Sequence, residues 1–148
     1  MKILVTGGTG YIGSSHTVCE LLDNNYEVII VDNLCNSKKE VLSQIKTITG
    51  KEAKFYEGDV CDKTLLKKIF EEHKIAAVIH FAGYKAVGES VKKPIMYYRN
   101  NIDSTLALCE VMKEYDVKNI VFSSSATVYG TPKSLPIKET AEVGHATN

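Results

Sequence analysis

Tryptophan is absent from this sequence of 148 residues, proline occurs three times and cysteine four times. No stretch approaches the ~18 consecutive apolar residues of a membrane-spanning helix. An excess of one charge is missing too, since 18 Lys+Arg balance 18 Asp+Glu. With a pI near 6.9, this removes the electrostatic argument for a nucleic-acid or anionic-membrane partner. Cys19, Cys35, Cys61 and Cys109 are far apart and include no Cys-x-x-Cys pair. That spacing argues against a zinc site and a disulfide framework. The expected state is reduced thiols, three of them mostly buried and Cys35 in a loop. His16, His73, His80 and His145 show no metal-ligand spacing either, so no metal is expected.

What is present is an ordinary globular composition, 44% hydrophobic and 24% charged, at a length suited to one domain. Met1-Lys2-Ile3-Leu4-Val5 enters a strand-like run at once, so no cleavable signal is expected and the cytoplasm is the default location. Short apolar runs alternate with helical periods, the pattern of βαβ units and a parallel sheet. Strands are predicted at Lys2–Thr6, Glu27–Val31, Lys54–Glu57, Ala76–Phe81 and Asn119–Ser123. Runs such as Val28-Ile29-Ile30-Val31 are apolar on both faces, as in strands covered by helices on both sides.

A first helix is predicted from about Tyr11–Gly13 to Asp23, and a second from about Lys38 to Thr47 with Gly50 beyond it. A third begins after Asp62, a good N-cap, with Leu65, Leu66, Ile69 and Phe70 on one face. The longest opens at Pro94. Its Ile95, Tyr98, Ile102, Leu106, Cys109 and Met112 keep to steps of three and four and predict one buried stripe. Beyond Phe122, small polar residues and then Pro132 and Pro136 predict loop. The fold class is α/β, a doubly wound parallel sheet.

Thr6-Gly7-Gly8-Thr9-Gly10-Tyr11-Ile12-Gly13 lies at the first strand–helix junction. Gly8, Gly10 and Gly13 fit Gly-x-Gly-x-x-Gly, and Gly7, Gly10 and Gly13 fit a looser form. Glycine suits a tight turn that a pyrophosphate approaches closely, at the positive end of a helix. About 20 residues after Gly13, Asp32 ends the second strand, where a carboxylate accepts both ribose hydroxyls of NAD and repels the 2′-phosphate of NADP. Asp59, after the third strand, is either an adenine contact or a cap for the next helix. His80, inside an apolar strand, reads as a hydrogen-bonded core residue rather than an acid or base.

With these motifs stand Asp32-Asn33-Leu34-Cys35-Asn36-Ser37, Gly58-Asp59-Val60, His80-Phe81-Ala82-Gly83-Tyr84-Lys85-Ala86-Val87-Gly88-Glu89-Ser90 and Ser123-Ser124-Ser125-Ala126-Thr127-Val128-Tyr129-Gly130. Together they resemble the extended short-chain dehydrogenase/reductase superfamily and, within it, the amino-terminal part of the UDP-glucose 4-epimerase family. The resemblance implies a Rossmann-type NAD-binding domain over residues 1–148, truncated before its last strands and the small nucleotide-sugar domain. It implies that Gly7, Gly10, Tyr11, Ile12 and Gly13 line the dinucleotide, and that Asp32, Asn33, Leu34, Cys35, Asn36 and Ser37 surround its adenosine ribose. Asp59 and Val60 would hold the adenine, while Phe81, Ala82, Gly83 and Lys85 pass beneath the cofactor's centre. Asn100 would fix the loop over it, Ser123 would lie near the nicotinamide, and Ser125 would be the catalytic serine at the sugar hydroxyl. Lys85 as a solvated loop lysine and Asn100 as a surface residue are the competing readings.

The implied reaction interconverts UDP-glucose and UDP-galactose through transient transfer of hydrogen to NAD, an isomerisation in galactose metabolism. The base in that family is a tyrosine tuned by a lysine four residues later on a helix. Tyr129 and Lys133 have that spacing, but Gly130 and Pro132 rule out the helix that would align them. The chain is thus expected to lack its base and, alone, to show no epimerase activity, with an exposed sheet edge that makes it prone to aggregate. A further departure is Ser14-Ser15-His16, where the family pattern has one serine. The extra residue rotates the rest of the first helix by roughly 100°, so either a bulge absorbs it or the helix shifts its buried stripe. A non-catalytic NAD-binding module and another NAD-dependent nucleotide-sugar epimerase or dehydratase remain as alternatives, although Ala126 and Thr127 occupy the positions where dehydratases carry an acid pair. A UDP-sugar is the expected small-molecule partner, and a homodimer could form through the helix from Pro94.

Overall fold

A computed structural model describes residues 1–144. Five parallel strands, β1 (Lys2–Thr6), β2 (Glu27–Asp32), β3 (Lys54–Glu57), β4 (Ile75–His80) and β5 (Ile120–Phe122), form one sheet in the order β3-β2-β1-β4-β5. The chain runs outward from β1 to one edge, then crosses back to build the other side. The reversal beside β1 is the switch point where a doubly wound sheet opens a crevice.

Alternation along β1 distributes its side chains between two cores. Leu4 joins Ile29, Val31 and Val78 under α3 (Lys63–Glu72) and α5 (Pro94–Glu114). Ile3 and Val5 join Val28 and Ile30 under α1 (Cys19–Asp23) and α2 (Val41–Thr49). The caps obey the local chemistry. Asp62 accepts from the amides of Thr64 and Leu65 at 2.9 and 3.2 Å, and Gly50 ends α2 in the left-handed conformation at φ 68°.

The extra serine is absorbed locally. Ile12–Val18 forms a π-helical segment running directly into α1, and the Cys19 amide donates back to the Ser14 carbonyl. An i→i+5 ring takes up one residue more than an i→i+4 ring, and beyond the segment Val18, Cys19 and Leu22 are buried in the core.

Four expectations need correction. Helix α2 starts at Val41, not Lys38. The segment after Lys85, where no helix is predicted, contains α4 (Val87–Lys92). Cys109 is exposed and Cys61 intermediate, so only Cys19 of the expected three is buried. Most telling, the stripe assigned to the α5 core faces outward: Ile95 is 71% exposed, Tyr98 65% and Leu106 55%, with only Met112 of the six buried. The buried face instead carries Tyr97, Ser104, Ala107, Leu108, Val111 and Met112. Small Ser104 and Ala107 let α5 lie close to its neighbours, while Lys63–Glu110 and Lys67–Glu114 ion pairs tie it to α3. Periodicity shows that a face exists but not which face meets the sheet. Edge strand β5 is exposed along its whole length. No helix among the described residues is long and apolar enough to cross a membrane.

Candidate functional site

The crevice opens beyond the carboxyl ends of the strands, bordered by the loops leaving all five of them and by Asn100 and Ser104 of α5. After β1 the chain turns at Gly7, whose φ of 68° disfavours any side chain. A Cβ there would stand 2.8 Å from the Ala82 nitrogen, and one at Gly13 would collide with the Gly7 carbonyl. Thus Gly7 is needed for contact with the loop after β4, and Gly13 for the helix to start against the turn. Gly10 meets only the Gly7 carbonyl, at 3.2 Å from its absent Cβ, and borders the cleft with bare backbone. First-turn amides of a helix lack intrahelical partners and suit an anion.

Asp32 faces this turn from the end of β2, 7% exposed. Its Oδ2 accepts from the Thr9 amide at 3.1 Å, and its Oδ1 from the Leu34 amide at 2.9 Å and more weakly from the Ser37 hydroxyl at 3.4 Å. Thr9 and Ser37 hydroxyls lie 2.7 Å apart. A carboxylate offers about four acceptor positions, so capacity remains for a ribose diol. Leu34 and Ser37 do not border the cleft; they hold Asp32 from behind.

The other expected cofactor residues, Tyr11, Ile12, Asn33, Cys35, Asn36, Asp59, Val60, Phe81, Ala82, Gly83, Lys85, Asn100 and Ser123, all border the cleft. Asp59 does so while also organising its own turn, accepting from the Cys61 amide at 2.8 Å and the Asn33 side chain at 3.3 Å; the helix cap proper is Asp62. Burial, with the Asp59 hydrogen bond, raises the Cys61 thiol to about 11, and burial with the Asp32 charge raises that of Cys35. Neither thiol is therefore an activated nucleophile.

Ser125 lies outside the cleft lining, exposed, where its Oγ caps a 3-10 turn over Ala126–Tyr129 by accepting from the Thr127 amide at 3.3 Å. Tyr129 ends that turn, Gly130 comes next at φ 59°, and Lys133 pairs with Glu142 at 3.0 Å. Tyr129 and Lys133 thus share no helix, as Gly130 and Pro132 foretell. His145 and the end of the chain lie outside the described residues.

Sequence reasoning missed Gly58, Tyr84 and Ser104 on the cleft wall and the part played by Asn101. Asn101 Oδ1 accepts from the Tyr84 amide at 2.7 Å while its Nδ2 donates to the Tyr84 carbonyl at 3.1 Å. The Asn100 side chain instead donates to Asn101 Oδ1, at 3.0 Å. Adjacent asparagines cannot be told apart from sequence, because which one faces the loop depends on the rotation of α5.

Over residues 3–148 the chain matches the NAD dependent epimerase/dehydratase family. It is 64% identical over its whole length to the UDP-glucose 4-epimerase of Haemophilus influenzae and 57% identical to that of Bacillus subtilis. It spans only 44% and 43% of those proteins. Among solved structures it is similar to the UDP-glucose 4-epimerase of Bifidobacterium longum in complex with NAD+ and UDP. That likeness has a TM-score of 0.92 at 57% identity, over 97% of this chain and 43% of the other.

Proposed function

The chain belongs to the NAD-dependent epimerase/dehydratase family, and from that premise we propose that it forms the dinucleotide-binding part of a UDP-glucose 4-epimerase. The observation that carries the reading is the meeting of the glycine turn after β1 with the Asp32 carboxylate across one crevice of a parallel sheet. In this reading the backbone from Gly7 to Gly13 receives a diphosphate, and Asp32 holds the adenosine ribose and excludes a 2′-phosphate. Asp59 and Val60 border the adenine, and Phe81, Ala82, Gly83, Lys85 and Ser123 the remainder. When bound, NAD supplies reversible oxidation of the sugar's alcohol carbon. Ser125 would then turn its hydroxyl from the Thr127 amide to the sugar hydroxyl.

The base comes from the rest of the enzyme, because no tyrosine and lysine share a helix face here in the required way. Residues 1–148 are thus an incomplete Rossmann domain, and the nucleotide-sugar domain lies elsewhere. The outward stripe Ile95, Tyr98, Ile102 and Leu106 suits a second copy of the chain, and the four cysteines suit the reducing cytoplasm. A non-catalytic NAD-binding module is favoured over an enzyme by one observation only, the separation of Tyr129 from Lys133. Ala126 and Thr127 speak against a dehydratase, having no acid to offer.

The test is a chimaera in which this chain replaces the matching part of the Haemophilus influenzae relative. It should interconvert UDP-galactose and UDP-glucose and lose most of kcat on Ser125→Ala. The chain alone should bind NAD without turnover. A folded chimaera that binds NAD but is inert would leave the module reading, and one that binds no NAD would remove both.

A further inference from the structure

His80, at the end of β4, is 1% exposed and the only buried histidine among the described residues. Its Nδ1 lies 2.6 Å from Thr6 Oγ1 and its Nε2 3.1 Å from Thr105 Oγ1. Thr6 Oγ1 already accepts from the Ala82 amide at 3.2 Å, and the Thr105 hydroxyl donates to the Asn101 carbonyl at 3.0 Å. One arrangement gives every proton an acceptor: Thr6 donates to an unprotonated Nδ1, and Nε2–H donates to Thr105. The other tautomer would aim Nδ1–H at Thr6 and strand the Thr6 proton where the residue is 0% exposed.

The consequence reaches the cleft. Thr6 holds Ala82 against the Gly7 turn, where the room is so small that a Gly7 Cβ would touch the Ala82 nitrogen. The same hydrogen-bonded chain continues through Thr105 to Asn101, whose side chain clasps both backbone groups of Tyr84. The His80 carbonyl also accepts from the Ser123 amide at 3.1 Å. We infer that His80 and Asn101 are positioning residues, acting through Thr6 and Thr105, which pin the 81–85 loop at two points and so set the opening of the cleft over Gly7.

The inference rests on the dinucleotide reading for its effect on affinity, but not for its geometry. Burial, reinforced by the charge of Lys85, pushes the imidazole down to about 4. Thr6 from β1, Thr105 from α5 and Phe122 from β5 face the ring and carry no charge. A neutral, single-tautomer ring is what a fixed strut requires.

Asparagine places its carbonyl near where Nδ1 stands, so His80→Asn keeps the Thr6 arm. Glutamine reaches only as Nε2 does, so His80→Gln keeps the Thr105 arm and leaves Thr6 without an acceptor. With NAD+ titrated calorimetrically into the 148-residue chain, His80→Gln and Asn101→Ala should each weaken binding about tenfold and His80→Asn no more than about threefold. Nitrogen NMR of the unmodified chain should show His80 as the Nε2–H tautomer, unchanged from about pH 8 to about pH 5. Amide exchange at Ala82 should speed up in His80→Gln and not in His80→Asn. Equal NAD+ affinity in all four proteins, or a ring that titrates near pH 6.5 or carries Nδ1–H, would overturn the inference. If the unmodified chain binds no NAD+, the cofactor reading fails by itself, and tautomer and Ala82 exchange still decide this one. If the variants do not fold, the tautomer of the unmodified chain decides.

Discussion

The amide of Thr9 donates to the carboxylate of Asp32 at 3.1 Å, joining the turn after β1 to the end of β2 across the mouth of the crevice. The bond makes Asp32 part of the architecture of the glycine turn as well as a candidate ribose contact. Its position is further fixed by Leu34 and Ser37, which stand behind it and do not border the cleft.

Asp32→Ala should therefore cost more than a ligand contact. Loss of charge-assisted hydrogen bonds worth about 1.5–3 kcal/mol each should weaken NAD binding at least about a hundredfold, measured by calorimetry. Ser37→Ala removes one weak bond to Asp32 and the hydroxyl pair with Thr9, and should cost no more than about tenfold.

Glycine positions should separate by what surrounds them. Gly7→Ala adds a Cβ 2.8 Å from Ala82 N at φ 68° and should abolish cooperative folding. Gly50→Ala has the same φ in open space and should cost about 1 kcal/mol. Gly88→Ala, exposed within α4 with nothing near its Cβ, should add up to about 1 kcal/mol. Urea denaturation ranks the three.

The two faces of α5 give a direct contrast. Leu108 is 0% exposed and Leu106 55%. Leu108→Ala should lose about 2–5 kcal/mol, whereas Leu106→Ala should change chain stability by less than about 0.5 kcal/mol. Thermal unfolding of dilute protein, where association is minimal, would reveal a reversed assignment as a reversed order.

Acid should destabilise the chain through His80. Its imidazole is held at about 4, below the usual 6.5, so the unfolded state takes up a proton first as pH falls. The stabilising contribution is complete above about pH 6.5 and is lost progressively towards about pH 4, a change approaching about 3 kcal/mol. In His80→Asn the slope of urea midpoint against pH should flatten across that window.

Deleting Ser15, exposed within the π-helical segment, should convert Ile12–Val18 to regular helix with both ends undisturbed. The melting temperature should stay level or rise by a few degrees, about 2–4 °C per kcal/mol at this size. Deleting Cys109 from the regular turns of α5 should instead rotate Val111 and Met112 out of the core and unfold the chain. Circular dichroism melts distinguish the two.

Strand positions, the glycine turn, the Asp62 cap and the failure of Tyr129 and Lys133 to share a helix are legible in the sequence because each is decided within a few residues, by alternation, backbone freedom or capping chemistry. The same holds for the enclosed, hydrogen-bonded state of His80, since an imidazole in an apolar run must find partners. Three features were settled only by the assembled chain. Which stripe of α5 is buried depends on how closely α3 and the sheet allow it to approach, and that favours Ser104 and Ala107 over Ile102 and Leu106. Absorption of the additional serine in a π turn was forced by glycines and core contacts fixed at opposite ends of one helix. The choice of Asn101 over Asn100 as the partner of Tyr84 required hydrogen bonds between residues far apart in the chain, which no local pattern encodes.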